Sequence, residues 1–190
     1  MNSIKQIVSR NLSGKKVLLL FILTSIIYAT MLIITIPKLM EFSNGMKLLD
    51  MMPTGYDSDY ILTLFSTLGE EGRQFYLFKQ IPIDMVYPGL FAISYCLIIA
   101  YFLKKLNKLD SPYFYLSMLP IIAGLADYLE NIGIITMLNN YPNILQFSMN
   151  ATNIFSIIKS MTTSVYFVAL IIVLIVLGIQ TIKGKKITSS

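Results

Sequence analysis

Four stretches of this chain are long, apolar and nearly free of charge: residues 17–36, 83–106, 112–138 and 153–182. A helix needs ~20 mostly apolar residues to cross the hydrocarbon of a bilayer. Inside that layer every backbone N–H and C=O must be bonded within the segment, which leaves helices and closed barrels as the available folds. Runs of this length predict an all-α fold: one membrane domain over residues 1–190, built as a four-transmembrane-helix bundle. Composition agrees, with 55% hydrophobic and 13% charged residues where soluble domains carry about 25% charge. Pro37-Lys38 is read as the end of the first span, Ser111 as the cap before the third with Pro112 at its first helical position, and Lys183-Gly184-Lys185-Lys186 as the end of the fourth. The first span follows Lys15-Lys16, but its apolar run is too long for a signal peptide core and no small-x-small site follows it. An uncleaved helix is expected.

What is missing narrows the chemistry. The chain has no His, which removes Ser-His and Cys-His catalysis, His-ligated metals and a histidine pH switch. Its single cysteine, Cys96, supports neither an internal disulfide nor a cysteine zinc site and is read as a packing residue. Walker A, GxGxxG, HExxH and EF-hand patterns are absent. Neither a metal nor a cofactor is expected. The net charge of +5 does not point to nucleic acid, because the basic residues cluster beside the apolar runs, where they set topology.

Those clusters give the orientation. Lys5, Arg10, Lys15 and Lys16 precede the first span, Lys104, Lys105 and Lys108 separate the second and third, and Lys183, Lys185 and Lys186 follow the fourth. The loop after the third span (NNYPN) has none. The positive-inside rule then puts both termini in the cytoplasm of a multi-pass plasma-membrane protein. Residues 38–82 form an extracytoplasmic cap with two short interfacial helices. Asp57 or Ser58 caps the first, Gly69 stops it, the second runs over 70–80, and Pro82 separates that one from the second span. Pro88 and Pro120 are expected to kink their helices and open space between them.

The third span carries Asp127, Glu130 and Asn131 at helical spacing, and with Ile134 they share one face. A charge at the bilayer centre costs at least ~2.5 kcal/mol, so that face should point inward. Gly124 on the same stripe permits a close neighbour. The most economical partner is Lys159, itself inside an apolar run. With a rise of 1.5 Å per residue, Asp127 and Glu130 lie roughly 22–27 Å along the third span and Lys159 roughly 9 Å below the outer end of the fourth. Asp84 at the start of the second span and Arg73 in the cap fall in the same layer. The expected ligand-binding set is therefore Arg73, Asp84, Asp127, Glu130, Asn131 and Lys159, with Tyr87, Tyr95, Tyr128 and Tyr166 available to line it. Asp84 also has a plainer reading, as a cap on a first helical turn.

The strings LGEEGRQFYLFKQIPIDMVYPGLFAISY and LPIIAGLADYLENIGIITMLNNYP carry a G-R-x-x-Y, D-x-x-[YF]-P and D-x-x-E-N pattern. It falls on Gly72, Arg73 and Tyr76, on Asp84, Tyr87 and Pro88, and on Asp127, Glu130 and Asn131. Over about residues 53–165 the chain resembles a group of small four-helix bacterial membrane proteins without an assigned function. The resemblance implies the four-helix fold and no substrate.

Three functions fit these residues. The first is a binding or transport-accessory role in which an outer-leaflet pocket holds a small polar molecule, a lipid headgroup or a cation. The second is a lipid-modifying enzyme with Asp127 or Glu130 as general acid or base. The third is a structural or assembly subunit with a buried ion-pair network. The lipid bilayer is the expected partner. A homo-oligomer stays open, since four helices alone give little room for a transport path.

Overall fold

The computed structural model describes residues 2–187. All regular elements among them are helical: α1 (Asn2–Arg10), α2 (Gly14–Thr30), α3 (Ile36–Phe42), α4 (Ser58–Phe75), α5 (Ile81–Asp84), α6 (Tyr87–Lys105), α7 (Leu119–Asn140) and α8 (Gln146–Ile187). Joined through π- and 3₁₀-turns they give four spans long and apolar enough to cross a membrane: Gly14–Phe42, Ser58–Lys105, Pro112–Asn140 and Gln146–Lys183. The four-span helical bundle expected from the sequence is the observed fold. In the most apolar windows of the second and third spans 44% and 50% of residues are buried, against 17% and 11% in the first and fourth. The middle two therefore form the core, and the outer two leave most of their surface to lipid.

Proline explains where the helices depart from the expected boundaries. Pro37 does not end the first span, which continues to Phe42. A π-turn over Met31–Thr35 precedes it, and the Ile36 N–H bonds back five residues to the Met31 carbonyl. The wider turn absorbs the register change that a ring without an N–H imposes on the preceding turn. The same device recurs in the second span. A π-turn over Tyr76–Gln80, closed by the Ile81 N–H on the Tyr76 carbonyl, lies two residues before Pro82. Pro82 consequently does not separate a cap helix from the second span; helix runs through it to Asp84. The two π-turns are tied together where each ends, by the Thr35 hydroxyl donating to Gln80 Oε1, with both side chains buried.

The first cap helix is capped as expected, with Asp57 Oδ1 accepting from the Tyr60 N–H at 2.8 Å. Gly69, at φ 63°, breaks the helical path between it and the segment from Glu70 onward. Positive φ there requires a residue without Cβ strain. Pro88 lies at the start of α6, after the turn at residues 85–86, and Pro120 at the junction where a 3₁₀ segment (Pro112–Met118) becomes α7. The fourth helix begins seven residues before the expected 153, at Gln146. One element was not anticipated. Residues 2–10 form α1, whose strongly amphipathic pattern buries Val8 against α6, and Lys5 pairs with Asp110 at 2.6 Å.

Glycines set the helix spacing around the site. A Cβ on Gly124 would stand 2.7 Å from the Pro88 carbonyl oxygen and 3.0 Å from the Ala92 Cβ, so the second and third spans touch backbone to backbone there. A Cβ on Gly133 would collide with the Thr152 side chain, which brings α7 equally close to α8. Small residues allowing such approach are the usual contact in membrane bundles. Two apolar clusters result. One gathers Leu39, Leu48, Leu49, Ile61, Leu64 and Phe65 with Ile134 and Met137 under the 43–57 loop. The other gathers Val8, Leu97, Ile99, Leu103, Phe114 and Tyr166 at the opposite end.

Candidate functional site

The ionisable side chains of α7 and α8 meet. Asp127, Glu130, Asn131 and Ile134 are all buried, so the stripe faces the bundle interior. On α8, Thr152, Ser156, Lys159 and Thr163 recur at three- and four-residue intervals on one face. Lys159 Nζ lies 2.5 Å from Glu130 Oε2 and 3.3 Å from Asp127 Oδ1. Because α8 begins at Gln146, the lysine stands about 20 Å along it, deeper than a start at 153 implies, yet level with its partners. The pairing needs both the glycine contact at Gly133, which draws the helices together, and the stripe on α7, which aims the acids.

Two more carboxyls complete the site. Asp84, in the last residue of α5, is buried. It lies beside the Asn131 amide, outside hydrogen-bond geometry. Its place is inside the site, so it does not cap a helix. The second is Asp50, on a 3₁₀ turn (Leu49–Met51) of the loop that folds down over the bundle. Asp50 Oδ1 accepts from the Tyr76 hydroxyl at 3.3 Å, and Tyr76 belongs to the π-turn before Pro82. The irregular backbone of the second span thereby holds the loop acid in place. Asp50 was not among the expected site residues. Its sequence signal is faint but real, an acid flanked by Leu48, Leu49, Met51 and Met52, a setting that favours burial of the whole segment.

Asp50, Asp84, Asp127 and Lys159 line a cavity of about 430 Å³, together with Tyr28, Met31, Tyr87, Phe91 and others. Four carboxyl groups thus surround one ammonium. That ammonium is in contact with Asp127 and Glu130, and no basic group pairs with Asp50 or Asp84 among the described residues. Several polar atoms are left over. Glu130 Oε1, both amide atoms of Asn131, and the hydroxyls of Ser156 and Tyr56 are buried without a hydrogen-bond partner among the described residues. A buried polar atom left unsatisfied costs ~1–3 kcal/mol. Burial, helped by the Glu130 charge, holds the Tyr56 phenol well above its ordinary value, so the group remains a neutral donor. Among the described residues no three acids are arranged to share a metal ion.

Arg73 stands apart from the cluster. Its guanidinium donates to the Phe65 carbonyl at 2.7 Å and covers the Tyr141 ring at 4.3 Å. The break at Gly69 removes helical partners from the carbonyls before it, and Arg73 reaches back across the break to satisfy one of them. The tyrosines divide likewise. Tyr87 lines the cavity, while Tyr95 lines a smaller neighbouring one. Tyr166 is buried and donates to the Tyr95 carbonyl at 2.9 Å, and Tyr128 packs its hydroxyl against Gly89. Cys96 is buried in the second apolar cluster. Comparison of the chain with family models, with curated proteins and with solved structures returned no match.

Proposed function

We propose that this integral membrane protein binds a ligand bearing an ammonium group, held by Asp50 and Asp84 in the cavity between the spans. The observation that carries the reading is the split among the four carboxyls. Asp127 and Glu130 are both in contact with Lys159, an arrangement suited to bracing α7 against α8. Asp50 and Asp84 line the cavity, and among the described residues no base pairs with either. Asp84 is buried and Asp50 half-buried, and a carboxylate withdrawn from water is favoured by an opposite charge beside it, which supports a cationic ligand here. The Tyr87 and Phe91 rings beside the acids suit a cation, which is attracted to aromatic faces. By the positive-inside rule, the basic clusters at the other end of the bundle support an outward-facing cavity in a plasma membrane. The role is binding or transport assistance.

A second reading, a purely structural ion-pair network, draws support from the Lys159 contacts alone. It leaves Asp50 and Asp84 unexplained. An acid–base enzyme would have to use Asp127 or Glu130 while each remains against Lys159, which does not favour it.

The test uses the purified full chain in detergent, with thermal unfolding followed against tetramethylammonium, ethylammonium and, as a control, sodium. Both organic cations should raise the midpoint in a concentration-dependent way, as a ligand that binds the folded state must. Asp50→Asn and Asp84→Asn should fold and lose that response. An unchanged midpoint in the parent protein, or a full response in the double variant, rules the reading out.

A further inference from the structure

The cavity has an open side. Its loop end is lined by Asp50, Met51 and Pro53, on a segment anchored by the fully buried Leu48 and Leu49. Its remaining walls come from four spans, but those spans are not equally packed. α7 packs along α6 and α8, and α2 packs along α6. Between α2 and α8 contact is only incidental, although Tyr28, Met31 and Leu32 of the first span and Ser160, Thr163 and Ser164 of α8 face each other across the cavity. Tyr28 and Leu32 are nearly half exposed and Ser164 is exposed, so this seam opens sideways, onto the surface that lipid covers.

The seam continues beyond the acids. A second cavity of about 240 Å³ shares Tyr28, Tyr87, Phe91 and Thr163 with the first and extends to Thr24 and Phe167. From Ile36 at one end to Thr24 at the other, the first span lines it over about 18 Å. Along that length the wall changes from carboxylate to aromatic. Its hydroxyls are largely satisfied within their own helices, with Ser25 donating to Phe21, Thr24 to Leu20 and Ser164 to Ser160 carbonyls. Such a wall tolerates a hydrocarbon neighbour. An acidic head and an aromatic tail slot, open to the bilayer along one side, match a molecule with the same division.

We infer that the ligand is an amphiphile with an amine or quaternary ammonium headgroup and an alkyl chain, and that it reaches the acids laterally from the lipid phase through the seam between α2 and α8. This rests on the ammonium-binding reading and adds the ligand's chain and its route. A headgroup arriving from the bilayer meets no packed helix pair at this seam.

The experiment uses the full chain in phosphatidylcholine nanodiscs doped with a photoreactive long-chain amine, or with the fatty acid of the same chain, followed by mapping of the labelled peptides. Ethylammonium is titrated in parallel and read by thermal unfolding. The amine should label residues 24–36 and 160–167, the fatty acid should not, and Asp50→Asn/Asp84→Asn should reduce the labelling roughly tenfold, the loss of about one charge-assisted contact. Ser25→Phe, which fills the second cavity at a residue that does not line the acid cavity, should abolish labelling by the long-chain amine and keep the response to ethylammonium. If ethylammonium stabilises the protein but labelling is diffuse, equal for the two chains, or untouched by Ser25→Phe, lateral access is wrong and the cation site stands. If neither amine acts, the cation site itself is wrong.

Discussion

The two ends of this bundle solve the problem of the membrane interior differently. Toward the basic clusters, α6 and α8 are regular helices whose backbone bonds stay within each segment, and the core between them is Leu97, Ile99, Leu103, Phe114 and Val173. Toward the 43–57 loop, the first and second spans carry π-turns before prolines, Gly69 breaks a helix, and four carboxyls and an ammonium are buried or line a cavity. Irregular backbone and buried charge are tolerated at membrane depth only where protein or a cavity surrounds them. The cap supplies that protein. Regularity suffices where lipid is the neighbour, and specificity is concentrated where the chain folds back on itself.

The sharpest way to break this contrast is to remove the base. Lys159→Met leaves Glu130 and Asp127 without the ammonium that contacts both. Breaking a buried pair by deleting one partner typically costs about 3–5 kcal/mol. SDS titration of the purified protein should show a larger loss than Gly124→Val, Thr35→Val or Ser94→Ala produces. Adding Glu130→Gln should recover part of it, since the uncompensated carboxylate is then gone. A Lys159→Met protein as stable as the parent would mean that the triad does not brace α7 against α8.

Next in size is the helix contact beneath the site. Gly124→Val forces a branched side chain against the Pro88 carbonyl and Ala92, and overpacking of this kind costs about 1–3 kcal/mol. Because Asp84 and Asp127 belong to the two spans being separated, the variant should also weaken the ethylammonium response. If stability falls while that response is unaltered, the cavity does not depend on this approach.

Much of this was legible in the sequence, and the limits have physical causes. Span number followed from apolar length, and the α7 stripe and its lysine partner followed from helical periodicity and the cost of charge in hydrocarbon. Gly69 and Asp57 were readable because left-handed backbone and helix capping have narrow residue preferences. Pro37 and Pro82 misled, because proline normally ends or kinks a helix and only a π-turn lets it continue, and no residue pattern signals that turn. Arg73 was placed by depth alone. Depth does not tell which way a side chain points, and the carbonyl freed at Gly69 claimed it. Asp50 escaped because a loop's tertiary fold-back carries no periodicity. α1 escaped because its nine residues are too short to register as a span, although Ile4, Ile7 and Val8 lie on one face.

A smaller effect probes the irregular end through its π-turns. Thr35→Val keeps the shape of the side chain and removes its hydroxyl, which donates to Gln80. Among the described residues Gln80 Nε2 already lacks a partner, so the side-chain amide would lose the one bond they give it. The expected loss is about 1 kcal/mol or somewhat more, the net value of a hydrogen bond plus a stranded acceptor. A neutral result would show that the two π-turns are held by their prolines alone.

The counterpart in the regular half should go the other way. Ser94 lies on α6 beside Cys96, fully buried, and its hydroxyl has no hydrogen-bond partner among the described residues. Deleting an unsatisfied buried hydroxyl removes a desolvation penalty without breaking a bond, so Ser94→Ala should be neutral or stabilising by up to about 1 kcal/mol. The gain is trimmed by the lost contacts of one oxygen atom, and better helix propensity adds a few tenths. Ser94 also lies outside the acid-lined cavity, so the ethylammonium response should not change. SDS titration of Thr35→Val and Ser94→Ala side by side then compares a bonded and an unbonded hydroxyl in one molecule. If Ser94→Ala proves as costly as Thr35→Val, the regular half contains a polar contact that the geometry does not reveal, and the division between a specific end and a generic one fails.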